Sequence, residues 1–340
     1  MATKSLSGLM LGCLLGCTFI AVDAGPACGK TVEMTYSIFF PATHANTILA
    51  GDWCKEIQKR TNGAVKIQVF ADGTLTPADQ CYDGAVKGIS DVGMTVVSYT
   101  KGRFPLSEVI DLPLGYRSGT QTTKLANAYL EKFKTKEFDD VKLMYLHSAG
   151  PGLVNTKKPV EKLEQLKEMK IRGTGTTAKI VAFLGATPVG MPMTETYDAV
   201  SKGVAEGFVA PIEALKGWKL AAVVKATTLD YGAASGLLFC VAMNKKKWES
   251  LPKDVQETIE KINKERIGKH CEVWDKVDRE GKEFALSKGH KFISLSPDED
   301  TKWAAAVKPV LEEYVQGTKA RNLPGEEALK FCQEWLKQNP

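Results

Sequence analysis

The chain has 340 residues, 44% of them hydrophobic and 25% charged, with a formal net charge of +5. That composition is ordinary for a globular protein and excludes a long disordered tail. The mild basic excess, with acids and bases mixed along the chain, excludes a nucleic-acid-binding stripe, and the length suffices for two lobes.

Lys4 opens the sequence with a positive charge, an apolar run follows from Leu6 to Val22, and Val22-Asp23-Ala24 places a cleavage site before Gly25. Residues 1–24 therefore read as a secretory signal peptide. A rival reading takes Leu14-Leu15-Gly16-Cys17 as a lipoprotein box, but apolar residues continue past Cys17 where a polar tether is needed. No later stretch reaches the ~18 apolar residues of a membrane span, so a periplasmic protein is expected. Beyond the signal lie Cys28, Cys54, Cys81, Cys240, Cys271 and Cys332, with no C-x-x-C pair, which argues against a zinc or redox centre. An oxidising compartment permits disulfides, and Cys54 with Cys81, on successive predicted helices, is the preferred pair.

Val32 to Phe39 reads as a strand, Thr47 to Thr61 as a helix closed by Asn62-Gly63, and Val65 to Phe70 as a second strand. Pro77 opens a helix that Gly88 stops, and Asp91 to Val97 follows as a strand. Strands and helices in this rhythm point to a mainly parallel α/β sheet. The segment Tyr82 to Gly93 is echoed by Tyr197 to Gly207: each helix ends on Lys-Gly and enters a strand through an acid and a glycine. Chance repetition of helix–glycine–strand units is one account of the echo; two lobes of one design facing across a cleft is the other. Toward the C-terminus, Ser250 and Pro252 are placed to open a helix of ~35 residues, long enough at ~1.5 Å per residue to cross both lobes.

Signatures of catalysis are scarce. No H-E-x-x-H, G-x-S-x-G or P-loop sequence occurs, and His44, His147, His270 and His290 lack metal-ligand spacing. His44 alone follows the first strand in a loop able to face a cleft. Gly173-Thr174-Gly175-Thr176-Thr177-Ala178 fits a dinucleotide pattern, with Glu195 near the place of a ribose-binding acid. The preceding strand is short and charged, however, and Pro188 and Pro192 interrupt the path to Glu195, so no cofactor is assigned. The same residues suit an anion site: a strand ends at Arg172, a glycine turn follows, and a helix begins near Thr176. A guanidinium there matches a carboxylate two-pronged, though a surface arginine beside a turn reads equally well from the residues alone.

Longer segments narrow the choice. Leu166 to Arg172, Leu184 to Val189, Met191-Pro192-Met193, Glu195 to Val200, Lys202-Gly203-Val204 and Glu206-Gly207 resemble the solute receptors of tripartite ATP-independent periplasmic (TRAP) transporters. Gly63 to Gly73, Asp111 to Leu114 and Asn155 to Val160 agree with them. The resemblance runs over nearly the whole mature chain in order. It implies a type II-like, two-lobed α/β binding protein with crossing strands, a ligand cleft and a long helix spanning both lobes. The expected division is 28–149 plus 236–275 for one lobe and 150–235 plus 276–340 for the other. A monomer delivering a small organic acid to TRAP membrane subunits is implied, with no catalysis of its own. A ligand-presenting sensory receptor and a periplasmic keto-acid enzyme using Glu195 as base are the alternatives.

By the same resemblance Arg172 pairs with the ligand carboxylate. Met193 stands where an aromatic often packs on the ligand, Ala210 where an asparagine is common, and Pro151 about where a second arginine often sits. With Phe208, Val209, Ala210 and Met193 making the pocket apolar, a monocarboxylate or 2-oxo acid with an apolar or aromatic body is expected, rather than a sugar acid or C4-dicarboxylate. Phe40, His44 and Tyr99 from the first lobe and Trp218 from the second complete the expected ligand contacts; Phe39, Phe104 and Tyr231 are equally placed for packing.

Overall fold

The computed structural model describes Met1 and residues 31–340; the expected signal segment, with Cys17 and Cys28, lies outside the described residues. The first half runs β1 (Val32–Ile38), α1 (Ala45–Arg60), β2 (Val65–Phe70), α2 (Cys81–Lys87), β3 (Val92–Val96), α3 (Gly119–Phe133) and β4 (Val141–Ser148). A second series follows: β5 (Leu153–Thr156), β6 (Lys170–Arg172), α4 (Thr176–Phe183), β7 (Thr187–Val189), α5 (Met193–Ser201), β8 (Gly207–Ala210), α6 (Ala214–Gly217) and β9 (Ala226–Leu229). The chain then returns through β10 (Leu238–Asn244) and α7 (Lys245–Glu249) to α8 (Lys253–Ser287). It finishes with β11 (Lys291–Ser294), α9 (Pro297–Ala306), α10 (Lys308–Lys319) and α11 (Gly325–Gln338).

Two sheets result, one ordered β2-β1-β3-β10-β4 and the other β11-β9-β5-β8-β6-β7. They share one plan. In the first, β1 runs parallel to β2 and β3, while β10 runs antiparallel to β3 and β4. In the second, β6 runs parallel to β7 and β8, while β5 runs antiparallel to β8 and β9. Thus β2-β1-β3-β10-β4 superposes in order and direction on β7-β6-β8-β5-β9, with β11 added at the edge. The expected mainly parallel sheet is corrected to a mixed one. The cause is the exchange of strands: β5 continues from β4 into the second lobe and β10 returns to the first, so each enters its sheet antiparallel. The crossing segments meet at an antiparallel bridge, Gly152 to Ser235.

The echoed corners are one device used twice. Gly88 (φ 74°) ends α2 before β3, and Gly203 (φ 78°) follows α5 before β8. Both need the left-handed region that glycine enters without penalty. Asn62 (φ 49°) and Gly63 (φ 80°) close α1 in the same way.

Helix α8 has 35 residues and is therefore about 52 Å long. Its first two thirds or so pack on the first lobe, where Trp53 Nε1 donates to Asn263 Oδ1 (2.9 Å) and Thr120 Oγ1 to Asp275 Oδ2 (2.6 Å). Further on it meets the second lobe, where the Glu213 N–H donates to Asp278 Oδ1 (2.8 Å). Ser250 does not cap it: Ser250 ends α7, its Oγ bonded to the Lys247 carbonyl, and Pro252 precedes α8 with no side-chain cap. The C-terminal helices reach back over the first lobe. Phe331 meets Phe133, Tyr314 donates to the Leu106 carbonyl (2.9 Å) and Gln121 to the Asn339 carbonyl (2.9 Å).

The Cys54–Cys81 disulfide does not form; Cys54, Cys81, Cys240, Cys271 and Cys332 are all free and buried. Cys81 turns instead toward Thr76 Oγ1 (3.4 Å) and the Pro77 carbonyl (3.4 Å). Burial pushes the Cys54 and Cys332 thiols up to about 12, so they stay protonated packing groups rather than nucleophiles. No helix among the described residues is long and apolar enough to cross a membrane.

Candidate ligand-binding site

In open α/β sheets, ligands collect beyond the carboxyl ends of the parallel strands. Here two such edges face each other. Phe39 and Phe40 follow β1, Tyr99 follows β3, Arg172 ends β6, and Val209 and Ala210 end β8. Together with the crossing segments they line one shared cavity between the two edges, the kind of cleft in which small-molecule sites form.

Arg172 is buried, yet among the described residues its one hydrogen bond runs from Nε to the Met191 carbonyl (3.0 Å). That bond orients the guanidinium and leaves its terminal nitrogens for an anion. Among the cavity-lining residues Arg172 is the sole cation and Glu213 the sole acid. Beside Arg172, Thr174 and Thr177 line the wall, with the Thr174 N–H bonded to Thr177 Oγ1 (2.8 Å), so the glycine turn and the start of α4 take the places expected of them. Ser235 also lines the wall; it is buried and its Oγ has no partner among the described residues.

The rest of the wall is apolar, and much of it aromatic. Phe39 and Phe40 stack at 4.5 Å, Trp218 lies 5.4 Å from Phe40, and Phe239 lies 5.8 Å from it. Trp274 lies 5.5 Å from Phe239 and is fixed from behind, its Nε1 donating to His147 Nδ1 (3.1 Å). His147 stacks on His270 at 3.9 Å; burial pushes His270 down to about 3, so the pair stays neutral.

Contacts between the lobes ring the cavity. The Met193 N–H donates to the Tyr99 hydroxyl (3.0 Å), closing one side. A Cβ on Gly175 would come within 2.6 Å of the Ser98 Cβ, so the two lobes touch there through the smallest residue available. On another side His44 Nε2 donates to Glu213 Oε2 (3.0 Å). The His44 tautomer follows from its second bond: Nδ1 accepts the Asn46 N–H (3.2 Å) at the start of α1, which leaves the ring proton on Nε2.

Of the residues singled out from sequence, Arg172, Met193, Ala210, Tyr99, Phe40 and Trp218 line the cavity together. Two do not. Phe208 points into the second-lobe core with Leu153, Val200 and Leu215, because side chains alternate along β8 and its neighbour Val209 takes the cavity face. His44 sits behind the wall, stacked on Phe40 at 4.3 Å and committed to Glu213 and the α1 cap. Glu195 is exposed in the first turn of α5 and absent from the wall. Sequence reasoning missed Phe239, Trp274, Ser235 and Glu213. The first two lie within apolar stripes that read as core, and the last two carry no local signal.

A two-lobed clamp with one guanidinium in an aromatic cavity defines a binding protein for small anions. Residues 36–317 match the bacterial extracellular solute-binding protein family 7 (DctP), and the chain belongs to that family. It is an extracytoplasmic receptor for a small organic acid, working with the membrane subunits of a TRAP transporter. Similar solved structures include a marine metagenome TRAP solute-binding protein specific for aromatic acid ligands, in complex with metahydroxyphenylacetate. It is 28% identical, with TM-score 0.85, covering 90% of this chain and 99% of that one. Another, from Rhodoferax ferrireducens with copurified benzoate, is 26% identical, with TM-score 0.85 and coverage of 91% and 98%. The C4-dicarboxylate-binding periplasmic protein DctP of Vibrio cholerae is 26% identical over 80% of this chain and 82% of its own length.

Proposed function

We propose that the receptor captures an aromatic or similarly apolar monocarboxylate, its carboxylate on Arg172 and its body against Phe39, Phe40, Trp218 and Phe239. The observation that carries this is the wall itself: one cation, held from behind by the Met191 carbonyl, in a cavity otherwise built largely of rings. Two charge-assisted hydrogen bonds contribute about 1.5–3 kcal/mol each. Burying on the order of 100 Å² of ring adds about 2.5 kcal/mol at ~25 cal/mol per Å². The aromatic acids bound by the marine metagenome and Rhodoferax proteins support the reading. Arg172, Met193, Ala210, Tyr99, Phe40 and Trp218 are the ligand contacts on this reading, and the chain performs no turnover. The lobes are proposed to divide at 149/150 and 235/236, beside the Gly152–Ser235 crossing. A thermal-shift screen of organic acids tests the assignment. Benzoate, mandelate or metahydroxyphenylacetate should raise Tm well beyond succinate, and equal shifts for succinate and the aryl acids would overturn it.

A further inference from the structure

The proposed ligand class accounts for Arg172 and the aromatic wall but leaves Glu213 unused. A buried acid is an unexpected lining for an organic-acid site, because it repels the ligand's own charge. Its placement is nonetheless built. One carboxylate oxygen accepts from His44 Nε2 (3.0 Å), and its backbone N–H donates to Asp278 Oδ1 (2.8 Å). Gly217 is kept bare beside it: a Cβ there would come within 2.6 Å of Glu213 Oε2 and 2.8 Å of His44 Nε2. Among the described residues the other carboxylate oxygen has no hydrogen-bond partner, which leaves acceptor capacity for a ligand donor.

Glu213 and the Arg172 turn also approach different exits. A groove lined by Gly173, Thr174, Met191 and Pro192 shares Tyr99 and Thr174 with the cavity. A separate groove lined by His44, Lys216 and Gly217 shares Glu213 with it, and the two grooves have no residue in common. The cavity thus carries a cation and an acid at separate places on its wall, and an acid held by Arg172 shares the cavity with Glu213.

We propose that Glu213 is a specificity-determining residue, accepting a hydrogen bond from a hydroxyl on the body of the bound acid and repelling a second carboxylate. The receptor then selects hydroxylated aromatic monocarboxylates and rejects dicarboxylates of the same size. This is specificity through a repulsive element as well as an attractive one, and it rests on the aromatic-acid reading above. Asp278, behind Glu213, is held toward its neutral form, so the negative charge here rests on Glu213. Burial pushes the Asp278 carboxyl up to about 7, the Glu213 N–H opposes that, and the Glu213 carboxylate adds to the rise.

The test is calorimetric titration of the full-length mature receptor with benzoate, 3-hydroxybenzoate and isophthalate, on the wild type, Glu213→Gln and Glu213→Asp. Glutamine keeps an acceptor for His44 and removes the charge. Ratios between ligands within one variant cancel any general loss of affinity, and apo Tm confirms that each variant folds. The wild type should favour 3-hydroxybenzoate over benzoate and bind isophthalate at least about 100-fold more weakly than benzoate. In Glu213→Gln the isophthalate penalty should shrink by about tenfold or more and the hydroxyl preference by roughly threefold or more, while Glu213→Asp, which keeps the charge, should retain the rejection. Benzoate binding with both ratios unchanged in Glu213→Gln overturns this inference alone. Binding of none of the three acids to the wild type overturns the aromatic-acid reading, and this inference with it.

Discussion

Replacing Arg172 with methionine separates a ligand anchor from a structural arginine, because the two roles predict opposite signs. Among the described residues the guanidinium is buried with one hydrogen bond, to the Met191 carbonyl. An under-partnered buried charge costs stability, so Arg172→Met should leave the apo protein as stable as the wild type or more so. In the complex, the two charge-assisted bonds disappear together. At about 1.5–3 kcal/mol each the loss is roughly 3–6 kcal/mol, which corresponds to a 10²–10⁴-fold weaker Kd. Arg172→Lys should fall between, since an ammonium keeps the charge but loses the planar fork and its orienting bond. Titration calorimetry gives the affinities, and thermal denaturation with and without ligand gives the stabilities. Ligand at about 100 times Kd should stabilise the wild type by about 2.7 kcal/mol and leave the methionine variant unmoved. Retention of wild-type affinity within threefold, or an apo Tm that collapses, would refute the anchor role.

Tyr99→Phe removes the acceptor for the Met193 N–H across the lobes; ligand affinity should fall by about 0.5–1.5 kcal/mol with apo Tm nearly unchanged, and an equal drop in both would make the contact merely structural. Trp218→Leu keeps an apolar wall but loses ring–ring contact, worth about 0.5–1.5 kcal/mol, so benzoate should weaken several-fold by calorimetry while a branched aliphatic monocarboxylate stays within about twofold. Asp230 supplies a pH signature. Burial pushes its carboxyl up to about 7, opposed by the Val154 N–H and reinforced by Asp300. Its protonation therefore stabilises the fold fully below the unfolded value near ~3.9, and that contribution is lost as pH rises through about 7. Asp230→Asn still accepts from Val154 and never ionises, so its stability relative to wild type in urea should be about 2 kcal/mol greater at pH 8 than at pH 5. A difference independent of pH would contradict the assignment.

How much of this was readable in the chain depends on how local the signal is. The corners at Gly88 and Gly203 were legible because a helix stop followed by a strand is written in consecutive residues. The reach of α8 was legible because its apolar stripe persists for many turns. Arg172 was half legible: a strand, a glycine turn and a helix start place an anion site, but only the cavity shows the guanidinium facing inward. Phe208 was assigned to the wrong face because β8 is buried on both sides, so the alternation that normally marks a face has no polar contrast. The His44–Glu213 bond joins residues 169 positions apart, and no spacing rule covers such a pair. Ser250 offered a cap by type alone; the short turn of α7 claimed it first.

The repeated sheet plan explains why the site is chemically lopsided. Matched strands put the residues after β1 opposite the end of β6, and those after β3 opposite the end of β8. At these equivalent positions the first lobe carries Phe39, Phe40 and Tyr99, while the second carries Arg172 and Ala210. Both charged groups of the cavity, Arg172 and Glu213, therefore belong to the second-lobe series, and the first lobe brings rings and a hydroxyl. On the proposed reading Arg172 supplies the charge that pairs with the acid, and the aromatic lobe shields that pair from water and strengthens it, since the same charges interact more strongly at lower effective dielectric. Charge and apolar wall thus come from different copies of one repeated sheet plan. Two bonds join the copies across the cavity, Met193 N–H to Tyr99 and His44 to Glu213.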